Sequence, residues 1–230
     1  MPIAIITGAS RGLGLALARA LAQRGWALVL DARGGEDLER VARELGAITE
    51  VAALAGDVAD DWHRNALVEA AGEDIDLLVN NASTLGLSPQ PALAEYPLAV
   101  LERVYRVNVF APLALAQLAL PRMRDGGAVV NVSSDAAAEP YEGWGGYGSA
   151  KAALDQLSAI LGVEQPSLRV YAVDPGDMHT ELHQAAFPGQ DISDRPPPED
   201  SVPGLLALIA GGLPSGRYVA RELVDARAGV

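Results

Sequence analysis

The chain predicts a doubly wound α/β fold, a parallel sheet with helices on both faces, and three observations carry that prediction. Short apolar runs alternate with longer stretches of helical periodicity along the 230 residues. Those runs are continuously apolar, the pattern of strands buried on both faces. A glycine-rich turn joins the first run to the first helical stretch, at the point where such folds take a ligand. The length suits one domain, 1–230.

Ile3–Ile6 predicts the first strand, and Leu13–Arg24 a helix with Leu13, Leu17, Ala20 and Leu21 on its inner face. Ala27–Leu30 is the second strand, Glu36–Leu45 the second helix and Ile48–Leu54 the third strand. Asp60–Ala71 is helical, and Leu77–Val79 forms a strand after a turn at Glu73-Asp74. Pro97–Met123 predicts one long helix, followed by Gly126-Gly127 and the strand Ala128–Val132. Tyr147–Gly162 is helical, and Leu168–Val173 is a strand closed by Asp174-Pro175-Gly176. Asp177–Asp200 breaks the alternation, and a structureless segment of this length in a compact domain reads as a lid. A last helix runs from about Ser201 to Ile209.

Composition narrows the partners. Half the residues are hydrophobic but only two are Phe and three Trp, so the core must be built from Ala, Leu and Val. A net charge of −13 leaves no basic stripe for nucleic acid or anionic membranes. The absence of cysteine excludes disulfides and thiolate chemistry. No apolar run approaches the ~20 residues of a membrane span. MPIAIITGAS lacks the charged and apolar regions of a signal peptide, so a cytoplasmic location is expected.

Among 17 cationic side chains one is lysine, Lys151, four residues after Tyr147. On a helix that spacing puts phenol and ammonium on one face. An ammonium is a compact charge with a tunable pKa, whereas a guanidinium is always charged and forked. Upstream, Thr7-Gly8-Ala9-Ser10-Arg11-Gly12-Leu13-Gly14 stands between strand and helix. Glycines there allow a tight turn and close backbone approach to a pyrophosphate, and the helix N-terminus favours its charge. His179 and His183 flank Glu181 in an H-x-E-x-H order that sends the glutamate off the face the histidines share, so no metal is expected.

With these marks the chain resembles the short-chain dehydrogenases/reductases, compact Rossmann-fold enzymes, over about Ile3 to Thr180. Thr7–Gly14 is similar to the family's TGxxxGxG loop, Asp57-Val58 to its adenine contact and Asn80-Asn81-Ala82 to its NNAG element. Asn108 stands at its catalytic asparagine, Ser134 thirteen residues before Tyr147 at its catalytic serine, and Tyr147–Lys151 at its YxxxK. Pro175-Gly176, with Met178 and Thr180, resembles the element under the nicotinamide. Three departures stand out: Ser83 in place of the last glycine of NNAG, Asp135 after the serine, and Asp174 before Pro-Gly. The run Glu164–Val170 is similar to sepiapterin-reductase-like members, but Arg217–Val230 shows no match to a C-terminal substrate anchor or a glycine-rich dimer strand.

The resemblance implies hydride transfer between a nicotinamide and a carbonyl or secondary alcohol. Tyr147 would move the proton, Ser134 would orient the substrate oxygen, and Asn108 would hold a water linking Lys151 to solvent. An ammonium ~4 Å from the phenol, at an effective dielectric of ~20, would stabilise phenolate by about 4 kcal/mol. Leu85, Tyr141, Trp144 and Met178 are expected to wall a partly apolar pocket with Ser134 and Tyr147. NADP(H) is favoured over NAD(H), because Ala32 falls where NAD-users carry a carboxylate while Arg33 and Arg11 can clamp a 2′-phosphate. A strand end one residue earlier would instead let Asp31 select NAD. A homodimer or homotetramer is implied. A non-catalytic sensor of the same fold is the alternative, and a sensor needs none of the Ser-Tyr-Lys-Asn set.

Overall fold

The structure, a computed structural model, describes residues Met1–Leu223. Among these, seven parallel strands form one sheet: β1 (Ile3–Ile6), β2 (Ala27–Ala32), β3 (Val51–Ala55), β4 (Ile75–Asn80), β5 (Met123–Val132), β6 (Arg169–Asp174) and β7 (Gly216–Val219). Their spatial order is β3-β2-β1-β4-β5-β6-β7. The chain winds outward one way from β1 and the other way from β4, so the two halves part at the C-terminal ends of β1 and β4. Ligands of open α/β sheets bind at such a switch point.

Strand side chains alternate between two cores, as a period of two requires. Ala4, Ile6, Leu28, Leu30, Leu77 and Val79 join α1 (Gly12–Ala22), α2 (Gly35–Gly46) and α8 (Val202–Ile209) on one face. Ile5, Val29, Leu78 and Val129 join α3 (Asp61–Ala71) and α5 (Ala111–Ala119) on the other. Both cores are aliphatic, as the composition requires. α4 (Leu98–Tyr105), α6 (Gly145–Glu164) and α7 (Glu181–Ala186) are further helices among the described residues.

Five elements differ from the sequence reading, one of them β5, which begins at Met123 and not at Ala128. The third strand starts at Val51, because Ile48 and Thr49 both return their N–H groups to Leu45 and close the preceding helix. The single helix expected over Pro97–Met123 is broken by a π-turn at Arg106–Phe110, where the Ala111 N–H reaches back to the Arg106 carbonyl. The cause is Pro112, which has no N–H for the Asn108 carbonyl one turn earlier and whose ring crowds it. By length and hydropathy this Leu98–Arg122 stretch could cross a membrane, but half of its apolar window is buried in the protein. The segment 177–200 is not structureless: Thr180 Oγ1 accepts the His183 N–H at 3.2 Å and caps α7, and Pro198–Ser201 forms a further turn of helix. β7, short and glycine-led, escaped the pattern reading, and the tail beyond Leu223 lies outside the described residues.

Candidate functional site

A cleft of about 1080 Å³ opens at the switch point. At its floor, Gly8 and Gly12 take φ of +65° and +55°, the left-handed region that favours glycine. Gly8 lies so close to β4 that a Cβ there would stand 3.0 Å from Ala82 Cα. Ser10, Arg11, Gly12 and Leu13 line the cleft where α1 begins, and no side chain caps that helix. Its free N–H groups face the opening and fit a pyrophosphate.

Three residues assigned to cofactor contact do not line the main cleft. Thr7 is buried, its Oγ1 accepting from the N–H groups of Asn81 and Ala82 at 2.9 and 3.0 Å, which fixes the end of β4 against β1. Gly14 packs helix on strand: a Cβ there would meet the Gly8 carbonyl oxygen at 2.4 Å. Asn80 donates to Asn131 Oδ1 at 2.8 Å, deep between β4 and β5. The remaining predicted contacts, Arg33, Asp57, Val58, Asn81, Ala82, Tyr147, Lys151, Pro175, Gly176, Met178 and Thr180, all line the cleft.

At the end of β2 the side chains part. Asp31 is buried beneath Gly8, its Oδ2 accepting the Gly8 N–H at 3.3 Å and its Oδ1 bonded to His63 Nε2 at 2.6 Å. Both side chains are 2% exposed. Ala32 and Arg33 follow along the cleft, with Arg33 exposed. Arg11 does not lie free beside Arg33: its guanidinium pairs with Glu181 of α7 at 2.6 Å, across the mouth of the cleft.

At the other end, β5 delivers Ser133, Ser134 and Asp135, and α6 delivers Tyr147 and Lys151. Burial pushes the Tyr147 phenol well above the ordinary tyrosine range; the Ser83 hydroxyl pulls it partly back, and the Asp174 and Asp135 carboxylates add to the rise. Burial also pushes the Lys151 ammonium down to about 8, with Asp155 opposing. The ammonium lies beside the phenol ring. Lys151 Nζ donates to the Val132 carbonyl at 2.6 Å, which holds it over the Tyr147 ring, 5.4 Å from the centroid.

Asn108 lies in the π-turn, buried behind the loop after β4. Its carboxamide is fully engaged by the loop after β4, accepting from the Thr84 N–H at 2.9 Å and the Ser83 hydroxyl at 3.3 Å and donating to the Thr84 carbonyl at 2.9 Å. These three bonds tie the π-turn to the Ser83-Thr84 loop at the cleft wall.

Leu85, Trp144 and Met178 line the substrate end, but Tyr141 stands outside the wall and donates to Asp135 Oδ2 at 2.9 Å. Ser83, Asp135, His183 and Ala185 line it without having been assigned. Phe187 packs its ring 5.9 Å from Trp144 and 5.0 Å from His183. The sequence marked Ser83 and Asp135 only as departures from a pattern. Nothing in it announced the Asp31–His63 pair, which joins residues 32 positions apart.

A cleft of this shape defines the class of α/β proteins that bind a dinucleotide at the switch point of a parallel sheet. Within that class, this chain belongs to the short-chain dehydrogenase family of oxidoreductases: the family's sequence profile, described as short chain dehydrogenase, matches residues 2–191. It is similar to the sepiapterin reductase of Meriones unguiculatus, with 35% identity over 201 residues, 80% of this chain and 77% of that protein. A short chain dehydrogenase from Shigella flexneri 2a str. 301, solved in complex with NADP, superposes with a TM-score of 0.87 at 27% identity, over 96% of this chain and 97% of that one. An alcohol dehydrogenase from the archaeon Thermococcus sibiricus, complexed with 5-hydroxy-NADP, gives 0.85 at 28% identity, over 95% of each chain.

Proposed function

We propose that this protein interconverts a carbonyl and a secondary alcohol with NADP(H), Tyr147 serving as general acid and base. The observation that carries the reading is the meeting of Tyr147, Ser134 and Lys151 at one end of a cleft whose other end is a glycine-lined helix N-terminus. When bound, the nicotinamide supplies or accepts the hydride. The chain's own residues govern the proton and the position of the substrate.

In the free protein burial keeps the Tyr147 phenol protonated at neutral pH, ready to donate to a carbonyl oxygen. Ser134 Oγ holds that oxygen from the side as charge develops. Lys151, charged below about 8, stabilises the phenolate left behind through the ring face it covers. In the oxidative direction the same groups run in reverse. Segment 177–200 acts as a lid, tied to the glycine loop by Arg11–Glu181, a pair exposed on both sides and weak enough to open.

NADP(H) is preferred because the one carboxylate at the end of β2 is turned under Gly8 and held there, while Arg33 stands free in the cleft wall. The NADP complexes of two structural neighbours support this preference. Titration of the purified protein with NADPH and NADH, followed by a panel of aldehydes, ketones and diketones, tests both parts. Tighter binding of NADH that Arg33→Ala leaves unchanged overturns the preference, and no turnover of any carbonyl with either cofactor overturns the reaction.

A further inference from the structure

Three carboxylates, Asp135, Asp174 and Asp177, line the substrate end of the cleft. Two are answered by cations: Asp177 by Arg195 at 3.3 Å and Asp174 by Arg217 at 3.8 Å. Among the described residues Asp135 has only neutral donors. Its Oδ1 accepts from the Ser134 hydroxyl at 2.9 Å and the Ala136 N–H at 2.8 Å, and its Oδ2 accepts from the Tyr141 hydroxyl. His183, at the same end, does not balance it, because burial lowers the imidazole's affinity for a proton and leaves it neutral at pH 7.

Two consequences follow. Asp135 is exposed, so its charge is comfortable only while water covers it. A neutral, apolar substrate seated against Ser134 would strip that water and offer the carboxylate no charge in exchange, which disfavours its binding. The second consequence concerns Ser134 itself. A serine hydroxyl has one proton, and here it is given to Asp135. While it stays there, Ser134 cannot donate to a substrate oxygen. A donor on the substrate that takes its place on Oδ1 frees that proton for the carbonyl. Oδ1 stands 2.9 Å from Ser134 Oγ, and a carbonyl oxygen accepting the freed proton would stand about 3 Å from Oγ, so the two oxygens lie within ~6 Å and the donor must sit one or two carbons from the reacting carbon.

We propose that Asp135 selects substrates with an ammonium group one or two carbons from the reacting carbonyl or carbinol, namely amino ketones and amino alcohols, and that the ammonium displaces Ser134 from Asp135 on binding. Tyr141 holds the carboxylate's orientation from outside the wall. Trp144 and Leu85 give the rest of such a molecule an apolar seat, with Phe187 packed against Trp144. This specificity rests on the carbonyl–alcohol reading above.

The test compares 2-(dimethylamino)-1-phenylethanone with isovalerophenone, its uncharged carbon isostere, both under reduction with NADPH. The wild-type kcat/KM should favour the amine by ~10-fold or more, and Asp135→Asn should lower the amine and raise the ketone until the ratio nears one. Asp135→Glu, which keeps the charge, should retain part of the preference. A wild-type ratio near one, or a ratio that Asp135→Asn leaves in place, overturns the proposal. Calorimetric binding of 2-amino-1-phenylethanol to Tyr147→Phe protein saturated with NADP needs no turnover, and a further Asp135→Asn change should weaken it ~10-fold. If the wild type reduces no ketone yet the amine binds through Asp135, the oxidoreductase reading falls and this site stands. If ketones are reduced but the amine binds equally well without Asp135, the converse holds.

Discussion

Replacing Lys151 by methionine should make the protein more stable at neutral pH while abolishing turnover. The ammonium is 2% exposed, and burial pushes it from the ordinary 10.5 down to about 8. At ~1.4 kcal/mol per pH unit, keeping it charged there costs about 3 kcal/mol at pH 7. Methionine fills much the same volume without charge. It loses the hydrogen bond from Nζ to the Val132 carbonyl, a charge-assisted bond of ~1.5–3 kcal/mol. The net gain is about 0.5–2 kcal/mol, which for a chain of this size raises Tm by roughly 1–6 °C. The sign reverses with pH. Between about 8 and 10.5 the unfolded state binds the proton that the folded state has released, so wild-type stability rises through that window relative to the variant. Above it only the lost hydrogen bond remains, and the variant becomes the less stable protein. Thermal unfolding of both proteins at matched pH values reads this crossing. A variant no more stable at pH 7, or a difference that does not move with pH, refutes the claim that Lys151 is held charged against its surroundings.

Four further outcomes are expected. Tyr147→Phe should abolish turnover and leave cofactor affinity nearly intact, and Lys151→Arg should also fail, because a forked guanidinium does not fit the ammonium's place under Val132; near-native rates in Lys151→Arg would remove the lysine from the mechanism. Ser83→Ala should move the alkaline-rising limb of the oxidation rate to higher pH, because the lost hydroxyl stabilises the Tyr147 phenolate; an unmoved profile excludes that contact. His63→Leu should destabilise the protein by about 3–5 kcal/mol by leaving the Asp31 carboxylate buried without its partner, with Asp31→Asn recovering much of the loss in the double variant; unfolding of the three proteins that shows simple additivity would dissolve the pair. Light scattering at micromolar concentration should give a dimer or tetramer, and a monomer would leave the exposed Phe110, Ile160 and Val163 without an oligomer contact to explain them.

What the sequence disclosed was what a local pattern can carry. The apolar runs and the glycine loop gave the sheet and its switch point, since both signals lie within a few consecutive residues. The thirteen-residue step from Ser134 to Tyr147 and the i, i+4 step to Lys151 put all three on the cleft wall. What escaped depended on partners distant in sequence. Thr7 and Asn80 are polar residues of a cofactor motif, and only their bonds to Asn81, Ala82 and Asn131 reveal them as joints of the sheet. Asn108 lies where the resemblance predicted, but the Ser83-Thr84 loop occupies its amide. One missed feature did have a local signal: Pro112 inside a helical stretch announces the break at Asn108.

The placement of Tyr147 and Lys151 is set by a small number of contacts that leave α6 little freedom. Asn80 donates to Asn131, Asn131 to Ser158 Oγ at 2.8 Å, and Ser158 to the Leu154 carbonyl at 2.7 Å, so a buried chain of hydrogen bonds ties β4 and β5 to the middle of α6. Each member is fully enclosed, and a slip of α6 by one residue would leave polar atoms without partners. At the start of the helix two glycines bring it in close. A Cβ on Gly148 would stand 2.6 Å from the Ala136 carbonyl oxygen, and one on Gly146 would stand 2.4 Å from the Tyr96 ring. The first of these contacts is with the turn that follows Ser134 and Asp135. The hydrogen-bond chain therefore fixes the helix along its axis, and the glycines fix its distance from the serine. Proton transfer needs both settings at once, because a phenol displaced by ~1 Å from a substrate oxygen loses most of the advantage of being positioned there.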